Sequence, residues 1–172
     1  MGRENTQIIH PVRIFFAVLT AAVMVMIFML SCEDSDDSSQ RSGTVTEAAA
    51  ELIVDGFDEM TRTQQLDILD TIERVLRKLA HFSVYTLLGA CAAAAAGECG
   101  LRAPEKRHRA YCVLGLCSLY SCTDELHQLF VPGRSCEIRD VLIDSSGSLT
   151  GILITIGVGS IAGFVMKKRA AR

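Results

Sequence analysis

Residues 110–128 read AYCVLGLCSLYSCTDELHQ, and Val131-Pro132-Gly133-Arg134 follows closely. The apolar part, Ala110 to Thr123, is fourteen residues long. A helix of that length rises about 21 Å, well short of a hydrocarbon core of ~30 Å. A membrane helix here must extend backward through His108 and Arg109, forward through Asp124–Gln128, or partly both. The forward extension carries two carboxylates, an imidazole and an amide into the outer part of a membrane. Ionisable groups at that depth are costly unless they face a cavity or pair with one another. A chain tolerates them mainly where they act on something.

Three other runs have membrane character. Val12 to Leu30 is nineteen residues interrupted only by Arg13 and Thr20. A second run covers 79–97, with the tract Ala92–Ala96 inside it, and the last covers 141–166. The expected fold is therefore all-α: a polytopic membrane protein with four transmembrane helices and one or two amphipathic helices on the outer side. Three segments follow. Residues 1–31 form an N-terminal transmembrane helix or signal anchor, 32–43 an acidic flexible spacer, and 44–172 the membrane domain. A second reading takes the first helix as a cleaved secretory signal, with Leu30-Ser31-Cys32 faintly like a lipoprotein cleavage site. Either way the remainder keeps its topology.

Charge in the connections orients the chain. The 98–109 loop holds Arg102, Lys106, Arg107 and Arg109, and the tail holds Lys167, Lys168, Arg169 and Arg172. Residues 31–60 hold nine acids against Arg41 alone. By the positive-inside rule both termini are cytoplasmic, and 31–78 and 124–140 lie outside the cell membrane. Within the outer segment, Thr44-Val45-Thr46-Glu47 has capping-box spacing. Leu66, Leu69, Ile72, Val75, Leu76 and Leu79 predict an amphipathic helix continuous with the second membrane helix. Such helices either pack on the outer face or close over a site there.

Composition excludes some functions. A net charge of −3 over 172 residues leaves no basic surplus for nucleic acid. Of seven cysteines, Cys91, Cys99, Cys112, Cys117 and Cys122 sit in or beside apolar runs and read as small packing residues. Cys122 and Cys136 are placed to meet at one end of a bundle. No cofactor is expected. No metal is expected either: His81, His127, Glu125 and Asp140 are feasible ligands, but Asp-Glu-x-His is not the two-histidine spacing of zinc peptidases.

Three polar groups fall at one membrane face on this topology. The first is Arg77-Lys78-x-x-His81 with Tyr85 one turn on, which shares a helical face with Arg74. The second is Asp124, His127 and Gln128, sharing a face with Ser121 and Tyr120, while Glu125 points about 100° away. Arg134 follows the Pro132-Gly133 turn as an anion clamp. The third is Asp140 and Asp144, one turn apart, with Ser148 beyond; Asp144 has Arg134, Lys78 or His81 as candidate partners. Below them Gly147, Gly151, Thr155, Gly159 and Gly163 form a small-residue stripe that admits a close helix, from this chain or from a second copy in a homo-oligomer. Each group also has a plainer explanation, as a helix mouth, a helix end or a helix-start acid.

The ordered blocks Arg77-Lys78-x-x-His81-Phe82-x-x-Tyr85-x-x-Leu88-Gly89, Asp124-Glu125-x-His127-Gln128-x-Phe130-x-Pro132-Gly133-Arg134 and Asp140-Val141-x-x-Asp144-x-x-Gly147-x-x-x-Gly151 resemble the VanZ-like family over roughly residues 70–165. The resemblance implies a small multi-pass bacterial membrane protein of the cell envelope; the founding member is associated with resistance to the glycopeptide teicoplanin. It supplies no reaction. One departure stands out: Asp144 takes a place where the family commonly has Asn. Either the site is altered or Asp144 donates as a protonated acid.

Three functions compete. The first is a protein that binds or shields an anionic or lipid-linked envelope component through Arg77, Lys78, Tyr85, Gln128, Arg134, Asp140 and Asp144. The second is an intramembrane hydrolase or transferase in which Glu125 or Asp124 works with His127 or His81 as acid and base. The third is a purely structural polar network, a weak return for so many ionisable groups, since interhelical polar bonds in membranes average under about 1 kcal/mol.

Overall fold

A computed structural model describes residues 11–32, 35–97, 104–132, 134 and 136–170, and these are helical apart from short turns. Helix α1 spans Pro11–Ser31, α2 Ser35–Ile53, α3 Arg62–Ala96, α4 Pro104–Gln128 and α5 Ile138–Ala170. A single 3₁₀ turn, Phe57–Glu59, joins α2 to α3 behind Gly56, whose φ of 72° is the left-handed conformation that glycine adopts without strain. Cys99 and the 98–103 part of the basic loop lie outside the described residues.

Among the described residues three helices are long and apolar enough to cross a membrane: Pro11–Ser31, Arg62–Ala96 and Ile138–Arg169. The expectation of four is met for three, and α4 is the exception. Its 25 residues extend in both directions from the apolar run, as its length required, and so average polar ends with an apolar middle. The amphipathic stretch from Leu66 does run unbroken into the apolar run of the same helix. At 35 residues, α3 is about 52 Å long, so it projects well beyond a ~30 Å core. Its start is a capping box at Thr61, whose N–H donates to Gln64 Oε1 at 3.1 Å. The other capping-box spacing, at Thr44, lies inside α2. That helix begins nine residues earlier, at Ser35, within the stretch read as a spacer.

α3 and α5 pack most extensively, with α1 and α4 against them. The upper stripe explains how α3 and α5 approach so closely. A Cβ on Gly89 would strike the Ser148 backbone, one on Gly147 the carbonyl of Phe82, and one on Gly151 the backbone at Thr86 and Ala90. Thr155 Oγ1 donates to Ala90 O at 3.2 Å and Ser148 Oγ to Tyr85 O at 3.3 Å. Gly147, Gly151 and Thr155 are thus occupied within the chain and offer no face to a second copy, while nothing lies within 4 Å of a Cβ on Gly163.

The buried core comprises Val23 and Ile27 of α1, Tyr85, Leu88 and Ala93 of α3, Val113 and Cys117 of α4, and Ile152 and Ile156 of α5. The opposite faces carry exposed apolar side chains, including Phe15, Val18, Leu116, Leu119 and Ile161, the pattern expected where lipid is the solvent. Cys91 and Cys117 are buried as packing residues, but Cys112 and Cys122 are exposed, and Cys122 and Cys136 are both free thiols.

Arg13, the one charge within the first apolar run, has a specific role. Its Nε donates to Ala95 O at 2.9 Å and its Nη2 to Ala96 O at 3.1 Å, and Arg109 Nη1 also reaches Ala96 O, at 3.3 Å. Two guanidinium groups therefore meet the carbonyls left over at the end of α3, where the helix dipole is negative. α3 then stops at Gly97, in the left-handed conformation (φ 77°).

Candidate functional site

At the other end of the bundle, the finish of α1 and α4 meets the middle of α3 and the start of α5. The three polar groups of the sequence come together there. Lys78 Nζ lies 2.7 Å from Asp140 Oδ1 and 3.4 Å from Glu137 Oε2. His81 Nδ1 lies 3.5 Å from Asp144 Oδ1. Tyr85, fully buried, stacks against His81 with ring centroids 6.5 Å apart. Of the three partners open to Asp144, the fold selects His81, because α3 and α5 pair with Lys78 one turn nearer the mouth, level with Asp140.

α4 supplies the floor. Ser121, Asp124, Glu125 and Gln128 are all buried. Ser121 Oγ donates to Asp144 Oδ2 at 3.0 Å, and Tyr85 OH and Gln128 Nε2 both reach Asp124 Oδ2 at 3.4 Å. Oδ1 of each aspartate and Oε1 of Glu125 have no hydrogen-bond partner. The nearest polar atom to Asp144 Oδ1 is His81 Nδ1, at 3.5 Å.

A cavity of about 320 Å³ opens above this floor. Arg74, Arg77, Lys78 and His81 of α3 line one wall. Gln128 and Arg134 line a second, and Glu137, Arg139, Asp140, Ile143 and Asp144 a third. Glu137 and Arg139 were not legible as site residues. The sequence does place Glu137 one turn before Asp140, and that spacing lets both carboxylates reach Lys78.

Two expected residues are elsewhere. His127 does not share the Asp124 and Gln128 surface; its ring lies against Phe28 at 4.9 Å, and Nε2 is 3.4 Å from Cys32 Sγ. Glu125, although adjacent to Asp124 and equally buried, turns to the 129–137 connection, where its Oε2 accepts the Glu137 N–H at 3.0 Å. Neither lines the cavity. Tyr85 and Asp124 sit next to it without lining it. Among the described residues none of α2 lines the cavity, and α2 packs along α3.

A family model described as VanZ/LLP1 matches residues 16–162, which takes in α2 to α4, most of α1 and α5, and every residue of the site. No curated protein and no solved structure matches the chain.

Proposed function

Because the chain belongs to the VanZ/LLP1 family, we propose that it is an envelope membrane protein whose polar cavity binds the anionic headgroup of a lipid-linked or membrane-proximal component. The lining charges carry this reading. Five cations (Arg74, Arg77, Lys78, Arg134 and Arg139) face three carboxylates (Glu137, Asp140 and Asp144), an excess of two with His81 neutral. Guanidinium groups match the forked geometry of a phosphate or carboxylate. Acidic neighbours hold three of the cations in place: Asp70 is 3.1 Å from Arg74, Glu73 is 3.0 Å from Arg77, and Asp140 is 2.7 Å from Lys78. The catalytic alternative on Glu125 and His127 needs a shared reaction space, and these two residues face different neighbours.

In this reading α4 is a fourth crossing, despite its composition. Its acids and amide turn inward, while Tyr111, Leu116, Leu119 and Leu126 are exposed on the other side, and a hydropathy average does not see that division. The site end faces outward by the positive-inside rule, with the Arg13 end in the cytoplasm. A variant retaining Cys136 as its only cysteine should react in intact cells with a membrane-impermeant maleimide. Reaction only after lysis would invert the orientation.

Headgroup binding is tested with the full-length protein in nanodiscs and a fluorescent phosphate-headed lipid. Saturable binding is expected, and Arg134→Ala and Lys78→Ala should each weaken it about tenfold, equal to ~1.4 kcal/mol. Equal binding by wild type and variants would count against the site. The cellular counterpart is a raised tolerance to teicoplanin on expression in a susceptible bacterium. Unchanged sensitivity with insertion confirmed would remove the resistance role.

A further inference from the structure

We propose that His81, Asp124 and Asp144 form a binding site for a divalent transition-metal ion beside the polar cavity. One ligand atom from each of the three lies within 4.8 Å of the others. Metal–ligand bonds of about 2.0–2.2 Å place opposite donors roughly 4.2 Å apart, so a small inward adjustment of the side chains brings the three donors around one ion. Both aspartates are at least nine-tenths buried, at 4% and 0% exposure, and each has one unpartnered oxygen.

The other oxygens are what make this a built arrangement. Ser121 holds Asp144 Oδ2, and Tyr85 and Gln128 hold Asp124 Oδ2. Asp144 is thus fixed through one oxygen at 3.0 Å and Asp124 approached through one at 3.4 Å, and each keeps the other oxygen open, as outer residues orient the ligands of metal sites. Burying carboxylate oxygens without a donor is unfavourable. The nearest lysine does not relieve it, because Lys78 is engaged by Asp140 and Glu137. Glu125, with its own unpartnered Oε1, adds a third buried acid. His81 faces Asp144, and at 3.5 Å its Nδ1 is too far from Oδ1 for a good hydrogen bond.

One imidazole and two carboxylates form a mixed nitrogen and oxygen set. It suits Mn²⁺, Fe²⁺ or Zn²⁺ better than an all-oxygen cage for Ca²⁺ or a thiolate site. His81 and Asp144 also line the cavity, so the ion has a way in. Three protein ligands leave coordination positions open, and an anionic headgroup is the natural occupant. Only that last point rests on the proposed headgroup site.

The test uses the full chain in detergent, stripped with a chelator and titrated with Mn²⁺ while the free-ion electron paramagnetic resonance signal is followed. Zn²⁺ is added as competitor and Mg²⁺ as control. The expected result is one saturable Mn²⁺ site per chain that Zn²⁺ empties and equimolar Mg²⁺ does not. Asp144→Asn, Asp124→Asn and His81→Gln should each weaken it at least tenfold, and Ser121→Ala should weaken it by roughly tenfold. Absence of saturable binding to the wild type overturns the proposal, whatever the variants do. So does binding that the Asn variants leave unchanged, which would mark the aspartates as a proton-sharing packing network. Headgroup binding remains measurable in chelator on the same protein, so failure of one reading is distinguishable from failure of the other.

Discussion

Gly151→Ala is expected to destabilise the folded protein strongly, because its new methyl group has no space to occupy. A Cβ there would sit 2.7 Å from Ala90 N and 2.9 Å from the Thr86 carbonyl carbon, and closer still to Thr86 O. These are backbone atoms of α3, so no side chain can rotate aside, and α3 and α5 must separate instead. Separation loses the Thr155–Ala90 and Ser148–Tyr85 hydrogen bonds and shifts Asp140 and Asp144 away from Lys78 and His81. Overpacking of this kind costs typically 1–3 kcal/mol, and the lost contacts place this case at about 3 kcal/mol. The check is the unfolding midpoint in a detergent titration. Gly157→Ala is the control on the same helix, since nothing lies within 4 Å of a Cβ there, and it should be near neutral. Equal midpoints for the two variants would refute the α3–α5 contact.

Glu125→Ala is expected to release the 129–137 connection, while Glu125→Gln leaves it in place. Glu125 is 1% exposed and accepts the backbone N–H of Glu137 at 3.0 Å. That bond ties to α4 the segment that brings Arg134 and Glu137 to the cavity. The connection is also held by local turns, Phe130 N to His127 O, Val131 N to Gln128 O and Arg134 N to Val131 O, and by the Glu137–Lys78 ion pair. A hydrogen bond to a charged acceptor is worth about 1.5–3 kcal/mol, and alanine removes it outright. The expected result is rapid exchange of the Glu137 amide, new protease sensitivity near Arg134, and headgroup affinity lowered about tenfold. Glutamine keeps an acceptor oxygen in reach and should restore all three. If Glu125→Gln instead abolishes the cellular phenotype in a folded protein, Glu125 transfers a proton, and the catalytic reading replaces the binding one.

Much of the site was legible because its spacing follows helical periodicity. Lys78 and His81, Asp124 and Gln128, and Asp140 and Asp144 lie three or four residues apart, and each pair shares a surface in the folded chain. The same rule misplaced His127. It stands three residues after Asp124, but that offset turns it about 60° from Asp124, and Gln128 turns about 40° the other way. α1 occupies the His127 side, so that ring packs on Phe28. The rule also turns Glu125 about 100° from Asp124, and the two face different neighbours, though both are interior. α4 touches α1, α3 and α5, so two directions about 100° apart both point into protein.

What the chain determined alone is what adds up residue by residue: three helices long and apolar enough to cross a membrane, the uninterrupted course from amphipathic stretch to apolar run in α3, and the turn residues around Arg134. Hydropathy and helix propensity are local sums, so they survive without knowledge of neighbours. Tertiary structure decided which ions pair, namely Lys78 with Asp140 and Glu137, and His81 with Asp144. It also decided that the upper glycine stripe seats α3, and that α4 hides its acids inside. Pairing depends on the axial register of two helices. That register is set by where Gly89, Gly147 and Gly151 let the backbones touch, a contact between residues some sixty positions apart that no local pattern encodes.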